Sequence, residues 1–343
     1  MNNGISIYFG LDNSLEENIE LVQAAKEAGL KRIFTSLQIP ETDLLRMRME
    51  MDVLLDLTNK LKMEVIADVN AGLLRDSRDF ATAGIQRMRL DDGYSFSEIA
   101  SFSRRFPVSL NASTLDGLAL GKLAKYGMNF ENAEAIFNFY PHPFTGQSGE
   151  LIYERTQLLK ASGLRVSDFV PSQNRKRGPL HLGLPTIEQA RKLSVSQAAL
   201  QLASLGVDGV FIGDSLPSKE ELEALAKVEK PEVIEIPCEF FTSYLNVRGQ
   251  IFTVRPDISP YVVRSIEARK IFAENNLPKS LPSPIKRGSI LMDNELYGRY
   301  KGELSLAKLD LPEDEKVNVI GKIREDSLYL LDCLWPGMKF KLV

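Results

Sequence analysis

Residues 5–37 read ISIYFGLDNSLEENIELVQAAKEAGLKRIFTSL, and this stretch decides the fold. It opens on a β-branched and aromatic run, Ile5–Gly10, and closes on another, Arg32–Leu37. Between them lies a helical pattern, Ser14–Ala28, with Glu17 three residues after Ser14 as in a capping box. Gly29 follows, as glycine often does at a helix end. A short strand, a longer helix and a second short strand are the sign of a βα unit in a parallel sheet.

The alternation continues through the first two thirds of the chain. Further strand runs are Glu64–Val69, Arg87–Asp91, Val108–Ser113, Ala135–Tyr140, Arg165–Pro171 and Gly209–Asp214. Helical patterns fall at Asp43–Leu61, from Ser95, and at Leu115–Lys125, Gly149–Ala161, Ile187–Leu205 and Ser218–Lys227. Eight βα units in about 230 residues match a TIM barrel. A doubly wound sheet usually has fewer strands and often a glycine-rich first turn. The first turn here, FGLDNS, has no GxGxxG. The expected fold class is α/β, a (β/α)8 barrel over residues 1–240.

Composition shifts after residue 230. Pro231 and Pro237 flank a β-rich stretch, and prolines and glycines then recur between short alternating runs such as Ile251–Val254, Ser289–Met292 and Val317–Ile320. Residues 245–343 are expected to form a second, smaller, mostly-β domain, with Pro260–Phe272 as its main helix. Its most unusual stretch is Asp293–Tyr300, DNELYGRY, read as a turn followed by an edge strand.

The 343 residues are 44% hydrophobic and 26% charged, which excludes a disordered or fibrous chain. The net charge of -4 lacks the basic excess of a nucleic-acid binder. No run of about 20 apolar residues offers a membrane span. The N-terminus MNNGISIYFGLDNS does not read as a signal peptide. Cys238 and Cys333 lie far apart in sequence and make no disulfide framework. The expected location is cytoplasmic, with neither a nucleic-acid nor a membrane partner.

Barrel enzymes place their chemistry at the C-terminal ends of the strands. Here those ends are polar. They carry Asp12, then Ser36, Gln38 and Glu41, then Asp68 and Asn70, then Asp91 and Asp92. Asn111, Ser113 and Thr114 follow, then Asn138, Tyr140 and His142, then Ser172 to Arg177, and last Asp214 and Ser215. Carboxylates and carboxamides suit a hydroxyl-rich ligand. Two carboxylates at one glycosidic oxygen can divide acid and base work. Any one of these residues alone could instead be a loop or helix cap. The seventh loop carries Arg175, Lys176 and Arg177, and loops seven and eight often hold phosphate. A solvated basic loop is the bland alternative. No strand end carries a Schiff-base lysine, and His142 and His181 are too few and too far apart for a histidine-rich zinc site. An all-oxygen Mg²⁺ site from Asp and Asn stays open. No GxSxG elbow or P-loop occurs.

The segments FTSLQIPE (34–41), RMRLDDG (87–93), LNASTLDG (110–117), FNFYPHPFTGQS (137–148), RGPLHLGLPTIE (177–188) and VFIGDS (210–215) resemble a bacterial family once labelled outer-surface proteins of unknown function. It includes the 6-phospho-N-acetylmuramidases of cell-wall recycling. MDNELYGRYKGEL (292–304) and PEDEKVNVIGKI (312–323) extend the resemblance over nearly the whole chain. It implies a TIM barrel followed by a cyclophilin-like β domain. It also implies a cytoplasmic glycosidase that needs no cofactor. The substrate implied is the disaccharide N-acetylmuramic acid 6-phosphate–β-1,4–N-acetylglucosamine. The chain departs from the family pattern at Gln38, Asp92, His142 and Gln147, all at strand ends, which bears on the substrate rather than the fold.

On this reading the catalytic pair comes from Asp91, Asp214, Glu41 and Asp68, and Asn111, Asn138 and Tyr140 hold the sugar. Arg175 and Arg177 take an anionic group, with no resident metal. The 2-acetamido group of the sugar is a third candidate nucleophile. The alternatives are another barrel enzyme on a phosphosugar, an isomerase or lyase, and a non-catalytic sugar-phosphate binding protein. A prolyl isomerase rests on the cyclophilin-like shape alone. The second domain is expected to cover the barrel mouth or to build a homodimer.

Overall fold

The computed structural model describes residues 1–72, 84–241, 246–281 and 283–343. The chain divides into two compact units, Met1–Lys230 and Pro231–Val343. The first is a closed barrel of eight parallel strands in sequence order. They are β1 (Gly4–Ser6), β2 (Arg32–Ser36), β3 (Glu64–Val69), β4 (Arg87–Leu90), β5 (Val108–Asn111), β6 (Ala133–Ile136), β7 (Arg165–Val170) and β8 (Gly209–Ile212). β1 pairs with both β2 and β8, which closes the ring.

The helices start where their caps put them. The first, α1 (Leu15–Glu27), has the Ser14–Glu17 capping box in full. Asp43 caps α2 (Leu44–Lys60). Ser95, Asp116 and Ser148 cap α3 (Phe96–Ser103), α4 (Gly117–Lys125) and α5 (Gly149–Ala161). Each such cap stabilises its helix by about 1 kcal/mol. The expected single helix 187–205 is instead a 3-10 turn, Glu188–Lys192, followed by α6 (Val195–Ser204), because Ser194 opens a new capping box. A last helix, α7 (Lys219–Ala226), starts at Ser218.

Inside the barrel the side chains stack in layers, since alternate residues of a strand face inward. The lowest layer is polar and charged: Arg32, Glu64, Arg87, Ser109, Glu134 and Ser167 touch one another there. The middle layer is apolar, with Phe34, Ile66, Ile136, Phe169 and Phe211 almost fully buried. The top layer, at the C-terminal ends, is polar again: Ser36, Asp68, Asp91, Asn111 and Asn138.

In the second unit the strands form two sheets rather than one closed barrel. One is antiparallel and joins β10 (Cys238–Phe240), β15 (Val317–Ile323), β13 (Ser289–Asp293), β14 (Leu304–Ala307) and β12 (Val262–Arg264). The other joins β11 (Ile251–Thr253), β16 (Lys339–Leu342) and β9 (Val233–Ile236), with β9 and β16 parallel. β9 and β10 therefore belong to this unit, and the boundary lies at Lys230 rather than at residue 240. The expected domain start at residue 245 lies outside the described residues. The expected helix 260–272 splits into β12 and a short helix, α8 (Ala268–Phe272). β-Branched Val262 and Val263 pair with β14 instead of coiling. The stretch after Asp293 is a 3-10 segment, Glu295–Tyr300, kinked at Gly298. The strand that follows it, β14, is flanked on both sides, not an edge.

Candidate active site

A cavity of about 460 Å³ opens at the C-terminal end of the barrel. Its floor is the apolar layer, with Phe34, Phe137, Phe139 and Phe169 in the lining. Its polar wall carries Ser36, Gln38, Glu41, Asp68, Arg89, Asp91, Asp92, Asn138 and Arg177.

Asp68 and Asp91 are brought together by two shared donors. Arg89 Nη1 lies 2.6 Å from Asp68 Oδ1 and 3.2 Å from Asp91 Oδ1. Gln38 Nε2 donates to Asp68 Oδ2 at 2.7 Å and to Asp91 Oδ2 at 3.3 Å. The facing oxygens are therefore no farther apart than those two bonds laid end to end. Asp68 also accepts from Ser36 Oγ at 3.2 Å. Asn111 Nδ2 donates to Asp91 Oδ1 at 2.7 Å. Asp91 is the more open of the pair, with 26% of its side chain exposed against 9% for Asp68. Glu41 and Asp92 are exposed at the mouth.

Arg89 completes this wall and was not foreseen from the sequence. It is almost fully buried, and its other nitrogen donates to Asn138 Oδ1 and to the Ile136 carbonyl. A signal was there: RMRLD puts arginine at alternate positions of a strand, so both side chains face the same way. Inward cations there need inward carboxylates.

The other expected residues sort differently. Asp214 is fully buried and is not part of the cavity lining. Its carboxylate accepts the backbone N–H groups of Ser172, Arg177 and Leu184 at 2.9, 3.0 and 3.2 Å. Burial pushes that carboxyl up from its ordinary 3.8 while these three bonds pull it back. Gly183, at φ +90 and with Pro171 Cβ 3.1 Å from where a side chain would begin, lets the loop pass this clamp. Tyr140 also lies outside the cavity lining; its hydroxyl accepts from Gln147 Nε2 at 2.7 Å and its carbonyl from Arg191. His142 is exposed, its Nδ1 2.8 Å from the Pro143 carbonyl.

The basic run divides. Arg175 pairs with Glu17 at 2.8 and 2.9 Å and with Asn13, tying the seventh loop to the start of α1. The same bonds hold the Glu17 carboxyl down at about 2. Arg177 points into the cavity. Its guanidinium carbon lies 4.8 Å from the Tyr8 ring centre and 5.0 Å from that of Phe139. Tyr8 donates to the Gly213 carbonyl at 2.6 Å, and burial raises its phenol to about 12, so the ring under Arg177 is neutral.

A closed barrel of eight parallel strands with bridged carboxylates, carboxamides and a stacked arginine at its mouth is the layout of a polar small-molecule site. The description 6-phospho-N-acetylmuramidase, N-terminal, matches residues 3–227, and 6-phospho-N-acetylmuramidase, C-terminal, matches residues 239–343. The chain belongs to the 6-phospho-N-acetylmuramidase family. Among solved structures it is similar to an uncharacterized Bacillus cereus protein at 28% identity and TM-score 0.69, covering 100% of this chain and 99% of that one. It is also similar to a conserved Enterococcus faecalis protein of unknown function at 30% identity and TM-score 0.61, covering 100% and 96%. No curated protein matches. Among the described residues no helix is long and apolar enough to cross a membrane.

Proposed function

We propose that the protein is a glycoside hydrolase that cleaves N-acetylmuramic acid 6-phosphate–β-1,4–N-acetylglucosamine in the cytoplasm during cell-wall recycling. The observation that carries this reading is the Asp68–Asp91 pair, bridged by Arg89 and Gln38 within the cavity. Family membership supplies the substrate class.

The spacing bears on mechanism. Inverting enzymes keep their carboxyl groups about 6.5–9.5 Å apart to seat a water, while retaining ones hold them at about 5–5.5 Å. That criterion applies to Asp91 and the acid it works with, Glu41, and the retaining outcome is proposed from the role of Asp91 as nucleophile or as the group that orients the acetamide. Asp91, the more open, faces the anomeric carbon or orients the acetamide that attacks it. Asp68 accepts from Ser36, Gln38 and Arg89, so it fixes the pair rather than donating. Glu41, exposed at the mouth, is assigned to protonate the leaving oxygen and then to take a proton from the incoming water. Asn138, in the cavity lining, meets the reacting sugar, while Asn111, outside the lining, holds Asp91 in place.

The test is incubation of the purified protein with the phosphorylated disaccharide, the unphosphorylated one, and EDTA in parallel. Products are followed by mass spectrometry and the released anomer by proton NMR. Cleavage of the phosphorylated sugar, insensitive to EDTA and releasing the β-anomer first, is expected. Binding without turnover would instead make the protein a sugar-phosphate sensor. Loss of activity on chelation would point to a metal-dependent lyase or isomerase.

A further inference from the structure

We infer that Arg177, rather than its neighbour Arg175, reads an oxyanion of the substrate, so that one anionic substituent is required for productive binding. The inference rests on the proposed function for the identity of the sugar. It rests on the cavity for the rest.

Arg177 is only 8% exposed, yet its Nη1 has no hydrogen-bond partner among the described residues. Its Nε donates to the Gly178 carbonyl at 3.2 Å, and its backbone N–H is clamped by Asp214 at 3.0 Å. Two aromatic rings fix the plane of the guanidinium. A buried, permanently charged group without a counter-charge is unfavourable unless a ligand supplies one. The other cavity cation, Arg89, is already taken by Asp68, Asp91 and Asn138. Arg175 is held outside by Glu17. The fork of an arginine matches phosphate and carboxylate oxygens alike. The proposed substrate offers both, a phosphate on C6 and the lactyl carboxylate on C3.

The experiment compares wild type, Arg177→Gln and Arg177→Lys on three disaccharides. One is the full substrate, one lacks the phosphate, and one lacks the lactyl group. Arg177→Gln is expected to lower kcat/KM on the full substrate by about 100-fold. Removing the anion that Arg177 reads should cost wild type a similar factor and cost Arg177→Gln almost nothing, which identifies the anion. Arg177→Lys should recover only part, because it lacks the fork. Wild-type kcat/KM in Arg177→Gln overturns the inference. So does a loss in which the variant still discriminates both truncated sugars as wild type does. If wild type cleaves none of them, the hydrolase reading falls separately. Calorimetry with N-acetylmuramic acid 6-phosphate then decides: binding to wild type that is lost in Arg177→Gln supports the inference, and equal binding by both, or none by wild type, overturns it.

Discussion

The two ends of the barrel interior use the same residue types to opposite ends. At the bottom Arg32 and Arg87 meet Glu64 and Glu134, with Ser109 and Ser167 filling the gaps. Burial pushes the Glu64 carboxyl up, but Arg32 and Arg87 outweigh it and hold the group below its ordinary 4.5. Charges there are matched and closed off from ligand by the phenylalanine layer. At the top Arg89 is shared between two carboxylates, one of them open to the cavity, and Arg177 Nη1 has no hydrogen-bond partner among the described residues. The lesson is that a satisfied ion network stabilises a fold, whereas a network left incomplete marks where a ligand belongs.

That contrast can be broken from either side. The largest effect is expected at the top. Asp91→Asn should lower kcat by about 10³-fold, within the usual range for losing a catalytic carboxylate, while thermal unfolding stays near wild type. A variant that turns over normally removes Asp91 from the chemistry. Glu134→Gln, at the bottom, should do the reverse. It leaves Arg32 and Arg87 to share Glu64, which should lower stability by about 3 kcal/mol in urea titrations without changing kcat. A drop in kcat at unchanged stability would erase the distinction between the ends.

Asp214 tests whether a strand-end carboxylate is chemistry or scaffold. Asp214→Asn sets an amide against three backbone donors, so a loss of about 2 kcal/mol in thermal unfolding is expected, with a raised KM. Abolished kcat at unchanged Tm would restore it as a catalytic group. A separate, pH-dependent effect on stability concerns a carboxyl on the outer face of β7. Asp168 alternates with inward Ser167 and Phe169, so it faces the helices, fully buried and, among the described residues, with no hydrogen-bond partner for either oxygen. Burial raises it from 3.8 to about 8; the Thr186 hydroxyl pulls weakly the other way but donates to the Asn138 carbonyl at 2.9 Å. The folded state then holds a proton that the unfolded state releases. Stability should fall by up to about 1.4 kcal/mol per pH unit between about pH 4 and 8. Asp168→Asn should flatten that dependence in denaturation curves taken at pH 5 and pH 8. An unchanged slope would assign the pH dependence elsewhere.

The barrel was legible because parallel βα units leave a strong periodic trace, and capping residues such as Ser14, Asp43 and Ser95 sit where the helices start. Strand ends located the polar mouth for the same reason. What the sequence hid was direction. Arg175 and Arg177 stand two residues apart, but one meets the capping-box Glu17 and the other enters the cavity. Asp91 and Asp214 both follow a strand, but only one faces the ligand, because the other meets a loop folding back over it. Arg89 looks in the sequence like any strand residue, whereas in the fold it bridges the carboxylate pair.

The Asp214 clamp has a consequence for how such a site can change. A single carboxylate just beyond β8 grips the loop after β7 at Ser172, Arg177 and Leu184. These grips fall on backbone N–H groups, which every residue but proline provides. Apart from positions such as Gly183, whose backbone conformation admits no side chain easily, and Arg175, which ties the loop to Glu17, the side chains between the grips can vary without loosening the clamp. The segment 172–184 is in effect an exchangeable cassette: a new sequence inserted between the same anchor points could present a different side chain to the cavity, redirecting the barrel to another ligand without rebuilding it.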